Sequence, residues 1–132
     1  MKARECQLTG LEKIKPKPTT REISAAQILA DYYKTSIEFI PRSNRKTPDF
    51  SFGGRIWELK TPIGTGKYNI QHALRSAMTQ SKNIIVDARF SKQHIVKIKN
   101  ELSFQFNKSR SIKKLIMIDK CKNVVEFSRK KM

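Results

Sequence analysis

The stretch Pro48-Asp49-Phe50-Ser51-Phe52-Gly53-Gly54-Arg55-Ile56-Trp57-Glu58-Leu59-Lys60-Thr61-Pro62 decides how this chain is read. Gly53-Gly54 is a two-residue hairpin signal, because the turns that match strand twist need a positive φ at both central positions. It predicts two short strands, Pro48 to Phe52 and Arg55 to Thr61. Pro62 stops the second, since proline has no N–H to continue a ladder. Side chains alternate faces along a strand. Glu58 and Lys60 therefore share one face, while Trp57 and Leu59 share the other and can enter a core. The turn folds Asp49 back beside them, with Phe50 or Asp49 opposite Trp57 or Glu58. Two carboxylates and an amine are thus expected to converge on one sheet edge.

That trio suits a definite chemistry. Paired carboxylates are oxygen ligands for a hard divalent cation such as Mg²⁺, which keeps several waters. Such an ion polarises a phosphoryl oxygen and lowers the pKa of a bound water. A lysine beside it can orient the water or stabilise charge developing on phosphorus. A bare Glu-x-Lys carries little weight, because 7 Glu and 19 Lys give about one by chance. The weight comes from the upstream Pro-Asp, the hairpin turn, the apolar partners and the helix that follows. The plainer reading is a solvated strand face.

Working outward, Thr20 can cap a helix that carries Arg21 and Glu22 in its first turn and ends near Lys34. A short strand, Ile37 to Ile40, stops at Pro41, and residues 42–47 form a basic loop. After Gly64 and Gly66, a helix runs from about Tyr68 to Ser81, with Ile70, Ala73, Leu74, Ala77 and Met78 on one stripe. Ile84-Ile85-Val86 suits a buried central strand. Residues 91–108 read as a further helix, and Leu115 to Ile118 with Val124 to Phe127 as a terminal hairpin. The fold class is α/β: a mixed central β-sheet flanked by helices. Residues 1–19, with Lys13, Lys15 and Lys17 between Pro16 and Pro18, read as a basic arm. Residues 20–132 form one domain, closed by a frayed basic end at Arg129, Lys130 and Lys131.

Composition bounds the partners. The chain has 132 residues and a net charge of +17, from 28 Lys and Arg against 11 Asp and Glu. Leu, Ile, Val and Phe total 33, a quarter of the chain, above the ~20% below which charged chains stay disordered. The surface excess points to a polyanion and excludes an acidic ion-buffering protein. No apolar run reaches membrane-span length, and Met1 to Pro18 has no apolar core of a secretory signal. Cys6 and Cys121 lie far apart, which suits two reduced thiols and action in the cytoplasm.

At this point the chain resembles the PD-(D/E)xK nuclease superfamily. More narrowly it is similar to the C-terminal tRNA nuclease domains of contact-dependent growth inhibition toxins, the CdiA type. Pro48-Asp49-Phe50, Ile56 to Pro62, and Gln80 to Asp87 carry most of the resemblance, with Glu22, Ala26, Tyr32-Tyr33 and Pro41. It runs over about residues 20 to 127. It implies an αβββαβ core with an added helix and hairpin. It also implies Asp49 and Glu58 as metal-binding carboxylates, Lys60 as catalytic lysine, and Glu22 as a supporting acid on the first helix. Complementing the helix dipole explains Glu22 equally well. Gln80 reaches the site or simply ends its helix; Thr61 bonds near the scissile phosphate or simply ends its strand. A cognate immunity protein belongs to such systems.

The expected activity is therefore a Mg²⁺-dependent endonuclease, acting on RNA and foremost on tRNA. Arg45, Lys46, Arg55, Lys67 and Arg75 would hold further phosphates. Two rivals stand: a DNA endonuclease of the same superfamily, and a non-catalytic basic nucleic-acid-binding protein. His72 and His94 read as surface histidines. Gly64-Thr65-Gly66-Lys67 is too short for a nucleotide-binding loop, though it could cradle one phosphate at a helix start. Among Tyr32, Tyr33, Phe50, Phe52, Trp57 and Tyr68, only Tyr68 is expected outside the core.

Overall fold

Both glycines of the hairpin turn are left-handed, Gly53 at φ 60° and Gly54 at φ 76°. The turn pairs Phe50 with Trp57, Ser51 with Ile56 and Phe52 with Arg55. In this computed structural model, residues 8–9, 18–41 and 48–129 are described. The arms of the hairpin are shorter than their sequence suggests. They form β3 and β4 of ten elements in chain order: β1 Leu8–Thr9, α1 Thr20–Tyr33, β2 Ile37–Phe39, β3 Phe50–Phe52, β4 Arg55–Lys60, α2 Asn69–Met78, β5 Asn83–Asp87, α3 Ile95–Lys108, β6 Lys114–Ile118 and β7 Val124–Glu126.

The seven strands found among the described residues make one mixed sheet in sequential order, β1 to β7. β4 and β5 run parallel, as do β5 and β6, while β3–β4 and β6–β7 are antiparallel. Two apolar layers sandwich the sheet. On one face, α1 contributes Ala25, Ala26, Leu29 and Ala30 against Phe50, Trp57, Leu59, Ile85 and Ile116. On the other, α2 and α3 contribute Ile70, Leu74, Ile98 and Leu102 against Ile84, Val86, Leu115 and Met117. Alternation along β5 and β6 splits their side chains between the layers, which is why Ile84-Ile85-Val86 is apolar on both sides.

Several boundaries move. Thr19, not Thr20, caps α1: its hydroxyl accepts from Glu22 N–H at 3.1 Å, and the Glu22 carboxylate accepts from Thr19 N–H at 2.8 Å. This reciprocal box satisfies two backbone donors that a helix start leaves open. α3 begins at Ile95 rather than near residue 91, capped by His94, whose Nδ1 accepts from Val96 N–H. Part of the expected arm is a strand, since Leu8–Thr9 pairs in parallel with Ile37 and Glu38. The basic end is not frayed at Arg129. Its guanidinium donates to the carbonyls of Phe106, Ser109 and Ile112 and lies 4.0 Å from the Phe106 ring centroid. The last carbonyls of a helix lack intrahelical partners, so a cation there is favoured. The 42–47 loop, Lys130 and Lys131 lie outside the described residues.

Candidate active site

β4 is the middle strand of the sheet, so the acids do not gather at a sheet edge. The edge was expected because a hairpin is visible locally. The parallel partner β5 arrives only after the α2 crossover, and it covers the open side of β4 through Glu58–Ile84 and Lys60–Val86 pairing.

Alternation still sorts the face as the spacing predicts. Trp57 and Leu59 lie in the α1 layer, which turns Glu58 and Lys60 to the α2 side. Asp49 precedes β3. Its N–H donates to Trp57 O at 2.9 Å, and its Oδ2 accepts from Leu59 N–H at 2.9 Å. These two bonds continue the hairpin ladder one step and lock the Asp49 carboxylate beside Glu58.

Glu58 is only 4% exposed, so it is not part of a solvated strand face. Its Oε2 lies 3.5 Å from Lys60 Nζ. Its Oε1 is buried and finds no hydrogen-bond donor among the described residues. Burial first, then the charge of Asp49 and a bond to it, push the Glu58 carboxyl up to about 8, against an opposing pull from Lys60. Two ionised carboxylates cannot hydrogen-bond each other. A shared proton or a bound cation would satisfy Oε1. That orphaned oxygen, beside a second carboxylate, fits a hard divalent ion. Among the described residues no cluster of three His, Cys, Asp or Glu forms a closed metal cage. Such an ion would therefore keep water or substrate oxygens in its other positions.

The remaining predicted residues divide. Glu22, Lys60 and Thr61 line one cleft, with Thr19, Thr20 and Ile63. The α1 start and the β4 end therefore face a common space. Gln80 lies in the turn after α2. Its neighbour Ser81 donates through its hydroxyl to Ile56 O at 2.9 Å, two residues before Glu58. Lys67 is exposed in the loop before α2, 5.5 Å from the Tyr68 ring centroid. Arg55 and Arg75 are not brought to the trio: Arg55 lines a cavity near the α1 C-terminus, and Arg75 a groove between α2 and α3. Arg45 and Lys46 lie outside the described residues.

One arrangement has almost no local signature in the sequence. Asp87, fully buried at the end of β5, pairs with Arg89 at 2.8 Å. Arg89 also donates to Ser24 Oγ at 2.7 Å and to Arg21 O at 3.3 Å. Arg21 and Arg89 both lie against the Phe90 ring, 4.3 and 4.8 Å from its centroid. This clamp holds the first turns of α1, and with them Glu22, against the sheet. An acid closing an apolar strand two residues before an arginine was its only local signal.

The family model of the contact-dependent growth inhibition CdiA C-terminal domain matches residues 46–124, more than half of the chain and all of the trio. The chain belongs to that family. No curated protein matches it. Among solved structures, the CdiA-CT/CdiI toxin and immunity complex from Burkholderia pseudomallei is similar, with a TM-score of 0.64 at 21% identity over 92% of this chain and 98% of that one. At that identity the likeness speaks for a CdiA C-terminal fold. The match spans Asp49, Glu58 and Lys60 but stops short of Glu22, which lies before residue 46.

Proposed function

We propose that the chain is a metal-dependent endonuclease of the PD-(D/E)xK type that hydrolyses phosphodiester bonds in RNA, tRNA foremost, and acts as a growth-inhibition toxin. The observation that carries this is the buried Glu58, with its orphaned Oε1, between Asp49 and Lys60. Asp49 and Glu58 would hold the cation, which supplies Lewis acidity and an activated water when bound. Lys60, a quarter of whose side chain reaches solvent, donates to the scissile phosphate and stabilises the charge that builds there. Thr61 offers a hydroxyl to the same phosphate from the cleft wall. Glu22 bounds the far side of that cleft and would act as a supporting acid from the first helix. Lys67, with the rest of the +17 surface, recruits neighbouring phosphates.

Membership of the CdiA C-terminal family supports the toxin role. The neighbour in complex with CdiI supports a cognate immunity protein as partner. No described helix is long and apolar enough to cross a membrane, and the cytoplasm of a target cell is the proposed place of action.

The test incubates the full chain with total tRNA and, separately, with plasmid DNA, each with Mg²⁺ and with EDTA. Mg²⁺-dependent tRNA fragments with intact plasmid support the proposal. Plasmid cleavage with intact tRNA replaces RNA by DNA. Steeply salt-dependent binding without cleavage of either makes the chain a non-catalytic binder.

A further inference from the structure

A second cavity, of about 320 Å³, lies under the C-terminal end of α1, away from the trio. Its wall is aromatic: Phe52 and Trp57 stack 7° from parallel with centroids 4.9 Å apart, and Tyr33 tilts onto Phe52 at 5.7 Å. Two exposed cations, Arg55 and Lys114, stand on its rim. An acid also lines it: Glu126, whose Oε2 accepts from the Tyr33 hydroxyl at 2.5 Å. Burial, then that bond and the Glu126 charge, push the Tyr33 hydroxyl well above the usual phenol range. Tyr33 therefore stays a donor and fixes the carboxylate in place.

The volume falls at the lower end of small-ligand sites, which combine apolar walls with a few placed polar groups. The groups here sort a ligand by its ends. Phe52 and Trp57 are buried core rings stacked on each other, so the partly exposed Tyr33 is the ring against which a flat base would pack. An anion suits Arg55 and Lys114 and is repelled by Glu126. The carboxylate wants N–H donors, and it keeps lone pairs beyond the one Tyr33 uses. Guanine alone among the common bases sets two such donors side by side, N1–H and the N2 amino group. Adenine and cytosine alternate donor and acceptor, and the single imide N–H of uracil is flanked by two carbonyls.

We propose that this cavity binds a guanine nucleotide, with the base edge on Glu126 and the phosphate on Arg55 and Lys114. The ligand chemistry is the same whether the guanosine phosphate is free or part of a single strand. This site is separate from the trio, and the proposal does not rest on the nuclease reading.

Trp57 is the sole tryptophan of the chain, so its fluorescence reports on this cavity. The full chain in EDTA, where metal-dependent cleavage is silent, is titrated with GMP, AMP and UMP. A single-stranded oligouridylate with one internal G and its G-free counterpart follow. Saturable quenching by GMP, about tenfold tighter than by AMP or UMP, is expected from one two-point base contact. Glu126→Gln should erase that preference. Arg55→Ala with Lys114→Ala should weaken GMP severalfold yet leave guanosine unchanged. Tighter binding of the G-containing oligonucleotide than of GMP marks a strand as the source; equal binding marks the free nucleotide. Equal quenching by all three nucleotides, a preference that survives Glu126→Gln, or no saturable quenching by GMP or the G-containing strand overturns the proposal.

Discussion

Glu58 Oε2 lies 3.5 Å from Lys60 Nζ, yet only 6% of the Glu58 side chain is exposed against 24% of the lysine's. The acid is shut away from water while its partner reaches into it. Burial opposes the charged form of a carboxyl, and Asp49 adds a like charge, so Lys60 compensates only in part. On the proposed function, Glu58 with Asp49 would take up a cation here, and the ion pair with Lys60 would do little to stabilise the fold.

The stability of the metal-free chain should fall as pH rises. Glu58 has its folded pKa pushed up from 4.5 to about 8, so between those values the folded state holds more protons than the unfolded one. The contribution is fully present below 4.5 and is lost as pH rises through about 8, with a slope of up to ~1.4 kcal/mol per pH unit. Urea unfolding in EDTA across this range measures it, and Glu58→Gln should remove that share of the slope. Parallel slopes in the two proteins would contradict the assignment.

Divalent cation should offset that loss. Protons and metal compete for the same carboxylates, so Mg²⁺ should raise the thermal midpoint more at about pH 8.5 than at about pH 6, in keeping with ligand linkage. Asp49→Asn should respond at neither pH. An equal response in Asp49→Asn would remove Asp49 from the metal site.

Arg89→Met should destabilise the fold by about 3–5 kcal/mol, because it strands the fully buried Asp87 as an unpaired charge. Replacing Asp87 by Leu in the same chain should recover much of the loss. Urea midpoints of the single and double variants decide between an ion pair that matters for its own sake and one that mainly avoids an orphan charge.

Gly54→Ala should cost about 1–2 kcal/mol through backbone conformation alone. Nothing lies within 4 Å of a Cβ added at this position, but its φ is 76°. Gly54→Asn, which tolerates the left-handed region, should cost less. Equal losses would point to a side-chain clash instead.

What was legible in the sequence was local. Gly53-Gly54 fixed the hairpin, and alternation put Glu58 with Lys60. The stripe from Ile70 to Met78 marked α2. What was not legible depended on distant partners. Leu8–Thr9 is a strand only because β2 lies beside it. Arg89 meets Ser24 across 65 residues, and Tyr33 meets Glu126 across 93. Thr19 took the cap from Thr20 because Glu22, three residues on, completes the box. Arg55 and Arg75 were grouped with the site by charge alone. The start of β4 and the groove between α2 and α3 carry them elsewhere. The depth at which Glu58 is buried followed from β5 and α2 packing over β4, which no local spacing encodes.

Asp49, Glu58 and Lys60 are proposed to form one metal-dependent phosphodiesterase centre. The most direct test of that assignment is Mg²⁺-dependent cleavage of total tRNA by the unaltered chain and by Lys60→Ala, both verified as folded by circular dichroism. Discrete fragments are expected from the unaltered chain, and a loss of at least about 100-fold in rate for Lys60→Ala, with tRNA binding largely retained. Cleavage at an unchanged rate in Lys60→Ala, or fragments that form equally well in EDTA, would contradict it.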